Sequence, residues 1–443
     1  MINKHIKNAS YNSGFQLLGM IVSFITIPML IHNLGLEKFG IYSLIITTIG
    51  FSGFLELGFS SGVVKFVAEE NSRKNFDELN KVISSSLIFQ TLVGIIAFLI
   101  IFFISGLLPS ILNINVVYSA ESSWAFRLTA LTIPFALIFS LFIGVFNGLE
   151  LFFYSSSMIA SQSILSSVLA VIASSLGYNL VVIAAINLIL NIVFVIVSII
   201  VITQRVPQLK IKVYFYYKTW SRIFHFSIYL LISKISSFAL DPFIRFFISV
   251  YFNPAAVSYF VAPTKLLSSI TILFNKIGEI FYPISANANA NGEKVKFKRI
   301  FLSSYKTSVL VIVPLFLLIA FFSRAILSFW IGNEFADKAW LIMTILSFSY
   351  MIAALTTMIW NIALGYGLSK FAALCSFFVL FAITLFIIPL SILFGIKGTS
   401  GAILLSSLNG IFAIFYVIKK IFGLSPKQLF KELVDAPYVD IKM

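Results

Sequence analysis

Lys234, Asp241 and Arg245 sit in the middle of an apolar run, Ile228 to Ala262, that is long enough to cross a bilayer. An ionised group at the centre of a lone spanning helix costs on the order of 3 kcal/mol, so such residues face a partner or a watered cavity. At about 100° per residue, the spacing returns all three to one stripe of a helix. The next apolar run carries Lys265, Lys276 and Glu279, again on one face. A hairpin turning at Asn253-Pro254 would place Asp241 and Lys265 equally far from the turn, where they would pair at one depth. Two readings follow. Either these groups line a charged chamber that receives a ligand, or Asp241, neutralised by Lys265 or Arg245, locks two helices together.

The apolar runs also hold Glu56, Lys65 and Arg127, which makes six bases against three acids. An anionic substrate suits that excess. The alternative for Lys65, Arg127 and Lys276 is that they snorkel to the headgroups from near the helix ends. Pro242, directly after Asp241, frees a backbone carbonyl and is expected to kink its helix. Glu56 lies among Gly53, Gly58 and Gly62, where it would bind a proton or Na⁺ as a coupling ion, or pair with Arg127 or a lysine of the second half. His5, His32 and His225 share no metal-ligand spacing, and the lone Cys375 reads as packing. No phosphate-cradling glycine loop is present, so ATP is not expected as the direct energy source. No cofactor, metal or catalytic set is assigned.

The elements that must position these residues are spans. The 443 residues are 60% hydrophobic and 11% charged, with a mean hydropathy of +1.03, which is the composition of a multi-spanning membrane protein. A net charge of +15 would suggest nucleic acid in a soluble chain. Here the bases cluster in short loops between apolar runs, and nucleic acid is not implied. Spans are expected at roughly 12–34, 41–67, 82–105, 124–147, 151–175 and 179–203, then at 223–250, 255–284, 301–323, 339–364, 369–394 and 399–422. With the N-terminus in the cytoplasm, twenty loop bases fall inside and four outside, which places both termini there.

These spans give an all-α membrane protein of about twelve helices. Residues 1–203 form an N-terminal six-helix bundle, 204–222 a basic cytoplasmic linker, 223–422 a second six-helix bundle and 423–443 a cytoplasmic tail. The halves repeat. LNKVISSSL from Leu79 answers FKRIFLSSY from Phe297, Trp124 answers Trp340, and Gly148 answers Gly365, at offsets of 216 to 218. An even helix count per half makes the repeats parallel, related by a pseudo-two-fold axis along the membrane normal. Such transporters bind substrate between their halves. A membrane-embedded polymerase or ligase of sugar chains would want a folded external loop, yet the longest outer segments are about Ser105 to Ser123 and Ser323 to Lys338.

Gly14 to Glu70 resembles the polysaccharide-transport family, the Wzx-type flippases of the MOP superfamily that also holds the MATE transporters. The resemblance lies in ITIPMLIHNLG from Ile25, LEKFGIYSL with Gly40 and Tyr42, and LELGFSSGVVKFVAE from Leu55. It implies a MOP/MATE-like fold and a non-enzymatic carrier in a bacterial inner membrane. Such a carrier moves undecaprenyl-pyrophosphate-linked oligosaccharide between leaflets by alternating access for O-antigen, capsule or related polymers, with a polysaccharide polymerase as a partner and H⁺ or Na⁺ as a coupling ion. The family's cationic cavity then matches Lys234, Arg245 and Lys265, with Arg127 a further candidate for the anion and Glu56 and Asp241 for the ion or an ion pair. A drug/cation antiporter of the same superfamily is the alternative, and it would prefer an acidic or aromatic cavity.

Overall fold

The computed structural model describes residues 2–56, 58–209 and 214–435, and their side chains other than those of 2–13 and 228–239. Among these residues there is no strand. Hydrocarbon offers backbone groups no hydrogen bonds, and a helix satisfies them within itself.

α1 (Ile2–Gly50) is two helices end to end, broken where Gly35 adopts φ 78° and ψ 166°. Its second half continues into α2 (Ser52–Leu55) and, past a left-handed Gly58, α3 (Phe59–Ser72). α4 (Phe76–Ile104), α5 (Leu108–Ile111), α6 (Val116–Gly148), α7 (Phe152–Ser175), α8 (Leu180–Arg205) and α9 (Tyr217–Tyr251) follow. Then come α10 (Pro254–Glu279), α11 (Phe281–Ala290), α12 (Lys294–Phe321), α13 (Ser323–Trp330) and α14 (Asn333–Gly365). The chain closes with α15 (Ser369–Phe394), α16 (Ile396–Ser407), α17 (Asn409–Phe422) and α18 (Pro426–Asp435). Ten described helical stretches are long and apolar enough to cross a membrane. Dividing α1 at Gly35 and adding the 35-residue α9 brings the number to the expected twelve.

Packing divides the chain into Met1–Ser258 and Tyr259–Met443. In the first unit α6 is the central helix. The most apolar stretch of α6 is 67% buried, against 17% for that of α4. Its Phe139, Phe142, Val145 and Phe146 pack with Phe59 and Val63 of α3, Leu79 and Ile83 of α4, and Phe194 and Ile202 of α8. Polar side chains also join helices here. Gln162 Nε2 of α7 donates to Asn191 Oδ1 of α8 at 2.9 Å, and Ser166 Oγ donates to Asn187 Oδ1 at 2.6 Å. In the second unit the core gathers Phe297 and Phe301 of α12, Ile359 and Ile362 of α14, and Val417 and Ile418 of α17.

The duplication read from sequence is carried by the backbone. α6 and α14 begin and end 217 residues apart. Turn residues at positive φ recur in step: Lys74 with Gly292, Glu150 with Gly367, and Gly177 with Gly395. A close helix approach recurs too. A Cβ on Gly148 would meet Val64 O at 2.9 Å and Val67 Cβ at 2.7 Å, and one on Gly365 would meet Tyr282 O at 2.9 Å and the Ser285 side chain. By that offset α9 opens the second copy, but it packs in the first unit. Thr219 Oγ1 donates to Glu78 Oε1 at 3.1 Å, and the Tyr216 N–H to Ser85 Oγ at 3.0 Å.

Candidate functional site

The turn falls where the spacing requires it. α9 ends at Tyr251, and Asn253 Oδ1 accepts the Ala256 N–H at 2.8 Å to cap α10. One helical turn apart across Pro242, Asp241 and Arg245 face each other. Arg245 Nη2 lies 2.8 Å from Asp241 Oδ2 and 3.1 Å from Oδ1, and Nε lies 3.2 Å from Oδ1. Nη1 donates to Thr47 Oγ1, in the second half of α1, at 3.3 Å. Arg245 is 8% exposed, whereas the Asp241 side chain is 51% exposed. An incoming anion would therefore have to exchange with Asp241 for the guanidinium fork.

The other in-span bases are held differently. Lys276 pairs with its neighbour Glu279 at 2.9 Å. Lys265 is exposed on α10, and the side chain of Lys234 lies outside the described residues. Lys65 stands 4.0 Å from the Phe226 ring centroid. Arg127 rests on Trp124 and donates from Nε to Ser105 Oγ at 3.2 Å. Neither Lys65 nor Arg127 meets a carboxylate among the described residues.

Glu56 occupies the break between α2 and α3. Its Oε1 accepts the Ser60 N–H at 3.0 Å, and its Oε2 accepts the hydroxyl of Ser140, on α6, at 2.8 Å. Gly144, one turn beyond Ser140, lets α3 come close, because a Cβ there would stand 2.8 Å from Ser60 Oγ. Gln90, on α4, is fully buried, and neither of its amide atoms has a hydrogen-bond partner among the described residues. The ring of Phe89, beside it in sequence, lies tilted 4.6 Å from that of Phe59, beside Ser60. A carboxylate with hydroxyl neighbours is a donor set for a proton or a hard cation.

Sequence reasoning gave no sign of Glu70. It is 2% exposed on α3, 3.1 Å from Arg222 Nη2 of α9 and 3.8 Å from Arg73 Nη1. The partners Glu70 and Arg222 are 152 residues apart, each just outside an expected apolar run. Arg222→Ala should lower stability by on the order of 2 kcal/mol, because it leaves a buried carboxylate with one distant partner. Glu70→Gln should cost less, since Arg222 is 42% exposed and relaxes into solvent. Melting curves of the purified variants in detergent check the order.

Residues 5–289 match the family described as "Polysaccharide biosynthesis protein". The Shigella flexneri "Putative O-antigen transporter" is 28% identical over 374 residues, 83% of this chain and 87% of that protein. An inward-facing MATE family transporter of the MOP superfamily superposes with a TM-score of 0.75 at 13% identity, over 96% of this chain and 99% of the other. The lipid II flippase MurJ, in an inward closed conformation, superposes with a TM-score of 0.68 at 15% identity, over 94% of this chain and 90% of the other. At such identities the structural likeness establishes the fold alone, which this chain shares with both of those proteins. With more than half of its length inside the family match, the chain belongs to the polysaccharide biosynthesis protein family.

Proposed function

We propose that this protein is a flippase that carries an undecaprenyl-pyrophosphate-linked oligosaccharide from the cytoplasmic to the periplasmic leaflet of a bacterial inner membrane by alternating access. The observation that carries the reading is the match across 83% of the chain to the Shigella flexneri protein named "Putative O-antigen transporter". The in-span charges support it. Lys234, Arg245 and Lys265 are the candidates for the pyrophosphate, with Asp241 holding the Arg245 fork until the anion exchanges for it. Glu56 is the candidate for an H⁺ or Na⁺ that couples the cycle, bonded as it is between two helices. Both termini are assigned to the cytoplasm on the loop bases, and a polysaccharide polymerase would consume the product.

Deleting the gene is expected to abolish surface polymer and to accumulate lipid-linked units on the cytoplasmic side. Plasmid-borne protein should restore both, as read by polymer gels and lipid extraction. Unchanged polymer together with increased drug sensitivity would instead favour the antiporter. Reporter fusions to the last residue should report a cytoplasmic C-terminus.

A further inference from the structure

Arg127 differs from the other in-span bases in its surroundings. Its Nε is fixed by Ser105, which is fully buried and itself donates to Phe102 O at 2.6 Å. The guanidinium centre lies 4.7 Å from the Trp124 ring centroid and 5.7 Å from that of Phe102. Its two terminal nitrogens meet no acceptor among the described residues. A guanidinium held at Nε and stacked on rings presents those nitrogens as a pre-set fork.

Its depth follows from two marks. Ser105 directly follows the last residue of α4. Six residues before Arg127 on the same helix, Glu121 pairs with Lys38 at 3.1 Å and accepts the Leu180 N–H at 2.7 Å, which marks the polar edge. Arg127 is thus about 9 Å inward of that edge at 1.5 Å per residue, close under the interface. Trp124 is 57% exposed, and Leu131, two turns further along α6, and Phe103, next to Phe102 on α4, are exposed as well. An open cationic fork beside bare apolar surface suits a ligand with an anionic head and a hydrocarbon tail.

We infer that Arg127, with Ser105 and Trp124, forms a binding site for the phosphate headgroup of a membrane lipid in the leaflet at the Lys38–Glu121 end of the first unit. Phosphatidylglycerol and the polyprenyl phosphate carrier share that chemistry. The site needs only that the chain spans a membrane, so it stands or falls apart from the transport reading.

Native mass spectrometry of the full-length protein in detergent tests it with phosphatidylglycerol, undecaprenyl phosphate and diacylglycerol as probes. At least one phosphate lipid should bind the wild type, and Arg127→Gln should weaken it by about tenfold, the size expected for a hydrogen-bonded charge. Arg127→Lys should retain part of the binding. Diacylglycerol should bind neither protein specifically. Loss of undecaprenyl phosphate binding alone identifies the carrier as the occupant, and loss of phosphatidylglycerol binding alone identifies a resident phospholipid. Equal binding of both phosphate lipids by wild type and Arg127→Gln overturns the site, as does diacylglycerol binding as tightly as they do. An Arg127→Gln protein that melts at the wild-type temperature excludes misfolding as the cause of a loss.

Discussion

Replacing Asp241 with alanine is expected to destabilise the protein by about 3 kcal/mol, more than Arg245→Ala does, although the two residues form one ion pair. The asymmetry comes from burial. Arg245 is the buried partner, so losing Asp241 leaves a buried guanidinium whose remaining hydrogen-bond partner among the described residues is Thr47. Losing Arg245 leaves a carboxylate that is half exposed and so less dependent on a protein partner. Export should follow the opposite order. Arg245→Ala is expected to abolish surface polymer, and Arg245→Lys should restore little, since an ammonium lacks the planar fork. Asp241→Asn with Arg245→Gln should recover the melting temperature without recovering export. Normal polymer from that double variant would reduce the pair to a structural clasp.

A second large effect is expected at Gly40. A Cβ there would overlap the backbone carbonyl of Pro254, so the second half of α1 and the start of α10 touch main chain to main chain. The same seam holds a hydrogen bond from Ser258 Oγ to Leu36 O at 2.6 Å. Gly40→Ala should cost on the order of 3 kcal/mol, and Gly40→Val should leave no folded protein in a size-exclusion profile. Gly365→Ala is the control. There the nearest obstacle is the Ser285 hydroxyl, a rotatable group, so the loss should be smaller and partly restored by Ser285→Ala. Equal melting temperatures for Gly40→Ala and wild type would refute the contact.

Gly40 also marks the limit of what the chain discloses. It belongs to the LEKFGIYSL stretch on which the family resemblance rests, and nothing in that stretch reveals that its neighbour is Pro254, more than 200 residues on. Local period is legible: Asp241 and Arg245 share a face, and the turn falls at Asn253-Pro254. Repetition is legible as well, because a duplicated sequence folds to the same turns, as Glu150 and Gly367 do. Hydropathy misses helix that runs beyond the hydrocarbon. α4 starts at Phe76, with Asn75 accepting the Glu78 N–H, six residues before the apolar run begins. It also passes over the interruption at Gly58, since apolar residues on both sides hide a break that one backbone angle makes. The partners Thr47, Ser140 and Arg222 were beyond reach because each is supplied by a distant helix.

The amide seam between α7 and α8 bears on how such a bundle moves. Gln162 meets Asn191 and Ser166 meets Asn187, one pair a single turn above the other, and Asn191 also donates to the carbonyl of Asn187. Sliding one helix past its neighbour by a turn would sever both links at once in surroundings that offer few substitutes. Piston-like slippage between these two helices is thereby disfavoured, and any stroke of the transport cycle has to carry them as one stiff plank.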